Sequence, residues 1–275
     1  MARQNYFDIL NQMEFDPQRE LKNLMDLLEM ERNFKSIYYE TSLNSAISDN
    51  FLDYPNRSTF TSYSQMVEFV GLNIYNTTEQ LFVFSEFLVD IFCNLAEKFT
   101  EEESEFIQII FDNIKRFLEL SNHELITLDN GNKIIVEKNV YASEASQIVS
   151  ETSIEEAIKV LEYNHFSNKG NIQRKKEILI ALANYLEPFR RELNYSEELK
   201  DIMKVNNQKV IAFEKLFEMY NNFGLRHNNS NQYHLDLADD ELEQWYDDIY
   251  TSTLFVILSM DESRILSKLK TLREG

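Results

Sequence analysis

The sequence predicts an all-α protein: helical bundles with one small β-hairpin inserted near residues 124–137. Three observations predict it. The 275-residue chain holds only 5 Gly and 3 Pro, too few for the many tight turns of a sandwich or barrel. Apolar residues recur at helical spacing along most of its length. One pair of β-rich runs flanks an Asn-Gly turn, the preferred short hairpin signal. A hydrophobic fraction of 43% with 13% aromatics gives enough apolar material for a core and argues against wholesale disorder.

Asp16-Pro17 reads as a helix start, with Asp as N-cap and Pro at the first helical position. Leu21, Leu24, Met25 and Leu28 follow at helical spacing. Pro55 and the polar run Asn56–Ser64 suggest a loop before a short apolar segment near Met66–Val70. Thr77 with Gln80, and Thr100 with Glu103, have capping-box spacing and open two helices. The first carries Leu81, Phe84, Leu88, Ile91 and Leu95, the second Phe106, Ile110, Ile114 and Phe117. Their short connection predicts an antiparallel pair. Leu125–Leu128 and Lys133–Val136 then flank Asp129-Asn130-Gly131-Asn132. A lone hairpin is marginal in water, so it must lie on helices. Residues 139–152, rich in Ser, Ala, Glu and Thr, read as a linker.

Beyond that linker the pattern is helical again. Ser153 with Glu156 is a third capping-box pair, followed by Ile154, Ile158 and Leu161. Asn171 can cap a helix through Ile178, Leu182 and Tyr185, with Pro188 disturbing its end. A helix from about residue 208 to 222 carries Val210, Phe213, Phe217 and Tyr220, and Gly224 suits a C-terminal cap. Asp239 and Asp240 open a last long helix whose stretch Thr253–Leu258 is apolar nearly all round, placing it centrally. Lys268, Lys270 and Arg273 suit that helix's C-terminus. The expected organisation is an N-terminal helical region (1–122), a hairpin and linker (123–152), and a C-terminal helical bundle (153–275).

The 27 basic residues are outnumbered by 47 acids, for a net charge of −20. Such a field repels nucleic-acid phosphate at long range, which excludes non-specific DNA coating and leaves only a local basic site for RNA. The most apolar run, Leu81–Ala96, is interrupted by Glu86 and Asp90, so no membrane span is expected. The first residues lack the apolar core of a signal peptide. A single cysteine, Cys93, cannot form an intrachain disulfide. A cytoplasmic location is the expectation.

No phosphate-binding glycine loop, dinucleotide fingerprint or nucleophile elbow occurs. One cysteine with His123, His165, His227 and His234 gives no zinc spacing. No metal and no cofactor are expected. One cluster carries chemistry: Arg226-His227 with His234, between two apolar helices. Arg can hold a phosphate and stabilise developing negative charge, and His can move a proton near neutral pH. Two such groups suffice for metal-free RNA cleavage, in which the 2′-hydroxyl is the nucleophile. Asn228 and Asn229 can add hydrogen bonds to substrate. A structural role competes with this: Arg226 paired with Asp247 or Asp248, and His227 capping the preceding helix. Packing or charge balance likewise competes for Trp245 and Tyr246, for His165, and for the basic runs Arg174-Lys175-Lys176 and Arg190-Arg191.

Glu156-Ala157-Ile158-Lys159, Tyr163-Asn164-His165, Lys169-Gly170-Asn171, Leu186-Glu187-Pro188, Leu225–Asn229 and Trp245-Tyr246-Asp247-Asp248 together resemble the C-terminal helical domains of bacterial abortive-infection proteins, which look related to the HEPN superfamily. The resemblance covers about residues 154–258. It implies a helical bundle, homodimerisation, a role in phage defence and a latent metal-independent ribonuclease, with Arg226 on phosphate and His227 or His234 as acid–base group. The spacing departs from the HEPN pattern: Arg226 is adjacent to His227, and seven residues separate Arg226 from His234. The competing expectation is a non-catalytic helical adaptor or dimerisation module for a basic protein partner. A cleft holding Arg226 and His227 free of carboxylate partners favours the enzyme; a closed Arg226–Asp247 or Arg226–Asp248 pair on the surface favours the adaptor.

Overall fold

The computed structural model describes residues 14–32, 41–72, 77–128, 130–226 and 237–274. The fold is all-α, with two small two-stranded hairpins. By its internal contacts the chain divides into two compact units, Met1–Ile135 and Val136–Gly275.

In the first unit α1 spans Pro17–Glu29, and the Asp16 carboxylate accepts from the Gln18 and Arg19 amides as the cap expected there. It buries Leu24 and Leu28, each contributing about 2 kcal/mol of apolar burial. α2 (Leu43–Asn50) is capped by Ser42. α3 covers Tyr63–Leu72, α4 Thr77–Asn94 and α5 Glu101–Leu120. Thr77 is the first helical residue of α4 rather than its cap, so that capping box is corrected by at least one position. Thr100 and Glu103 do form the reciprocal box, with the Thr100 amide donating to Glu103 at 2.7 Å. The core of this unit mixes aliphatic side chains with many rings: Phe51, Tyr54, Tyr63, Phe82, Phe87, Phe92, Phe106 and Phe117 are buried beside Leu24, Ile47, Leu88 and Ile110. Strands β1 (His123–Thr127) and β2 (Lys133–Glu137) flank Gly131 at φ +86°. Gly suits that turn because a Cβ disfavours positive φ. Glu86 of α4 accepts from the Ile135 amide at 2.6 Å, so the hairpin is tied to a helix as its marginal stability requires.

In the second unit the expected linker is a helix. α6 spans Val140–Ser150, capped by Asn139. Ala142, Ala145 and Val149 form its buried stripe, and Ser146 donates to the Ala157 carbonyl at 2.8 Å. Small residues let this helix lie close against α7 (Ile154–Glu162), but they carry a weak hydrophobic signal. Ser153 precedes α7, yet its hydroxyl binds the Glu156 side chain and no reciprocal box forms.

Asn171 caps α8 (Ile172–Leu186), and Pro188 falls in the 3₁₀ turn that ends it. Short helices α9 (Arg190–Tyr195) and α10 (Glu197–Ile202) follow. A second hairpin, β3 (Val205–Asn206) with β4 (Lys209–Val210), precedes α11 (Ile211–Asn222) and takes over the start of the helix expected from residue 208. Its turn residues Asn207 and Gln208 both have positive φ without a glycine, which hides the turn from the sequence. α12 runs from Asp239 to Glu274 and packs on α6, α8, α10 and α11. Thr253, Leu254, Val256 and Ile257 are buried there, but Phe255 is 46% exposed, so the stretch is covered over most of its surface rather than all round.

Candidate functional site

Arg226 follows the end of α11. Gly224 (φ +68°) turns the chain, the Leu225 amide donates to the Tyr220 carbonyl at 2.9 Å, and the Leu225 side chain is buried. The Arg226 guanidinium is thereby set against Glu187, the first residue of the 3₁₀ turn after α8, with Nη2 2.8 Å from Oε1. Nη1 lies 3.4 Å from the Asn221 side chain, and the guanidinium carbon is 5.9 Å from the Phe217 ring centroid. The Arg226 side chain is only 13% exposed. The second Glu187 oxygen is buried without a hydrogen-bond partner. His227, Asn228, Asn229 and His234 lie outside the described residues.

The expected Arg226 pairing with Asp247 or Asp248 is corrected to Glu187. Asp247 is engaged elsewhere: it accepts from Lys175 Nζ at 2.6 Å and from the Tyr163 hydroxyl at 2.8 Å. Lys175, 6% exposed, also pairs with Glu243 at 2.7 Å. Glu243 in turn accepts from the Gly170 amide at 2.7 Å. The Tyr163 ring stacks on Tyr250 at 3.9 Å, and Tyr250 donates to the Val160 carbonyl while accepting from Asn164. Glu162 joins Lys159 and Arg174 alongside. Segments 163–164, 170 and 247–250 therefore meet in one polar network between α7, α8 and α12.

The electrostatics match that geometry. Burial raises the Glu243 pKa, but the Lys175 bond, the Gly170 amide and the lysine charges outweigh it, and the carboxyl is held below its ordinary range. Glu162 behaves alike: burial opposes ionisation, and Lys159 and Arg174 together overcome it. Burial and the Asp247 charge push the Tyr163 hydroxyl up, so it serves as a neutral donor. The charges are matched within the network, which makes it a latch between helices rather than a reactive cleft.

The other sequence-flagged residues have plain placements. Arg174 pairs with Glu162 and Glu177, and Arg190 with Glu214, so these members of the basic runs balance acids. His165 pairs through its backbone with Val136, and its ring lies 4.4 Å from Phe166. Tyr246 is buried, while Trp245 is 39% exposed over Phe223. His123 contacts Phe82, and Cys93 is exposed. Among the described residues no group of three His, Cys, Asp or Glu side chains could hold a metal ion. No described helix is long and apolar enough to cross a membrane.

Sequence reasoning saw Lys175 only as a member of a basic run balancing acids, without its buried place, and gave Glu187 no role. Lys175 had a signal: with Ile178, Leu179 and Leu182 it falls on the buried face of α8, and a lysine on an apolar face demands an acidic partner. Glu187 had none beyond its place in Leu186-Glu187-Pro188. Set against known protein families, curated proteins and solved structures, the chain matches none.

Proposed function

We propose that the protein acts in phage defence as a non-catalytic helical adaptor or dimerisation module that meets a basic protein surface. The observation that carries the non-catalytic part is the Arg226–Glu187 pair: the one guanidinium expected to bind phosphate is largely buried against a carboxylate. An anion would have to displace Glu187 before reaching it. The net charge of −20 favours a basic partner by long-range attraction. The phage-defence part rests on the resemblance of residues 154–258 to abortive-infection proteins.

A second reading, the latent ribonuclease, has its own support. Arg226 directly precedes His227, with His234 a few residues on, and its partner Glu187 is 39% exposed. In that reading Glu187 is the latch that an RNA phosphate displaces. The two readings part in one experiment. Purified protein is incubated with total RNA and tRNA in EDTA, as wild type, Glu187→Gln, Arg226→Ala and His227→Ala. The adaptor reading expects intact RNA in every case. Cleavage by wild type, increased in Glu187→Gln and lost in both Arg226→Ala and His227→Ala, replaces it with the ribonuclease.

A further inference from the structure

The first unit holds a pocket of about 510 Å³ between α1, α2 and α3, with Phe84 of α4 contributing to its wall. We propose that it binds an alkylammonium group on an apolar stem, such as a diamine or a lysine side chain carries. The inference concerns residues outside the Arg226 region and stands apart from the adaptor reading.

The lining is sorted by exposure. Leu28, Tyr63 and Phe84 are 1%, 7% and 7% exposed and supply an apolar base. The lining also includes three exposed carboxylates, Glu29, Asp49 and Glu68, one from each of α1, α2 and α3, and no described cation pairs with them. No Lys, Arg or His lines the pocket, whereas the three grooves in the second unit each contain Arg or Lys. The first 135 residues carry 23 acids against 10 bases, the remaining 140 carry 24 against 17. The pocket thus lies in the more negative part of the chain, where the field concentrates cations.

Acidity alone would be satisfied by solvent counter-ions. Two further groups call for a ligand that donates hydrogen bonds. Asn44 is among the lining residues, and its buried Oδ1 has no donor. Buried acceptors in native proteins are nearly always satisfied, by protein, water or ligand. The Tyr63 hydroxyl, on a side chain more than nine-tenths buried, has no hydrogen-bond partner among the described residues, and the residue lines the same pocket. The shape selects the cation. The carboxylates do not converge on one point as a metal site would, so a single small ion cannot satisfy them. An extended amine can place its methylene stem on Leu28 and Phe84 while its ammonium N–H groups reach the acids and Asn44. Each exposed carboxylate adds little by itself; stem burial and charge together give the selectivity.

The test is isothermal titration of the full chain with 1,5-diaminopentane, spermidine and a lysine-rich peptide. Pentane-1,5-diol and magnesium chloride at matched ionic strength serve as controls. We expect saturable amine binding, weakened about tenfold or more in Asp49→Asn/Glu68→Gln, whose exposed positions leave folding intact, and several-fold in Tyr63→Phe. The diol and magnesium should give no comparable signal. Binding of the free amines identifies a small-molecule ligand; binding of the peptide alone identifies a partner's lysine. No binding of either, an equal response to magnesium, or undiminished binding in the double variant overturns the proposal. Glu187→Gln and Arg226→Ala should leave amine binding unchanged, so the adaptor reading can fail without this one.

Discussion

The N-terminal unit is held by apolar packing of rings and aliphatic side chains, whereas the C-terminal unit adds buried charges to such packing. In the first, Phe51, Tyr63 and Phe87 lie edge-on or stacked at centroid distances near 6 Å, and the ion pairs described there, Arg19–Glu20 and Lys98–Asp53, are at the surface. In the second, Lys175, Glu162, Asn168 and Asn194 are buried among helices; the pairs of Glu162 and Lys175 bridge α7, α8 and α12, and Asn194 joins α9 to Glu214 of α11. Apolar packing is non-directional, so it fixes volume more than register. A buried lysine with two acids fixes register, because any slip leaves a charge without a partner. The difference teaches that one chain reached two helical assemblies by separate means, and each should fail in its own way.

The largest effect should come from the apolar core of the first unit. Phe117→Ala, at a side chain 1% exposed, should cost about 4 kcal/mol. Denaturant unfolding followed by hydrogen exchange should show the loss at amides of residues 77–128 and leave α8 protected. If α8 loses protection equally, the two units unfold as one and the contrast drawn above is void.

Next comes the latch. Lys175→Ala leaves Glu243 and Asp247 facing each other without a cation, and should destabilise the second unit by about 3 kcal/mol. Lys175→Met keeps the stem while removing the charge. Equal losses in Met and Ala would assign the effect to charge; a milder loss in Met would give the stem its share. No loss in either variant would remove the latch from the account.

Acid should then act on the charged unit. Glu162, Glu214 and Glu243 have pKa values below the ordinary carboxylate value of 4.5 in the folded state. A depressed folded pKa stabilises above the unfolded value and loses that contribution as pH falls through the folded one. Melting of the second unit should therefore drop by several degrees as the pH falls below about 4.5. Glu243→Gln should flatten that slope, and an unchanged slope would show that the carboxylate does not titrate as the geometry requires.

The smallest effect belongs to Glu187→Gln. It keeps one acceptor for Arg226 and removes the charge, so a loss of about 1 kcal/mol is expected in the melting of the second unit. A stabilisation would mean that the carboxylate is held against its preference, as a displaceable latch would be.

Legibility varied with the reach of the interaction. Asp16, Thr100–Glu103, Asn171 and Gly224 act within a few residues, and each does in the fold what its local chemistry announced. α6 was misread because Ala142, Ala145 and Ser146 bury through closeness to α7, a fact about a neighbour rather than about hydrophobicity. The β3–β4 turn was missed because Asn207 and Gln208 take positive φ without the usual glycine. At the site, Arg226 was visible as a residue of interest, but its partner was chosen from the wrong helix.

What the sequence by itself determined was the helical class, the caps at Asp16, Thr100 and Asn171, the β1–β2 hairpin and the existence of the long α12, since periodicity and capping are local. What only the tertiary structure decided was which charges meet. Lys175 with Glu243 and Asp247 spans about 70 residues of chain, and Arg226 with Glu187 about 40. Pairing at that distance depends on how helices cross, and an acid-rich sequence offers many carboxylates of equal local merit. Only packing selects among them.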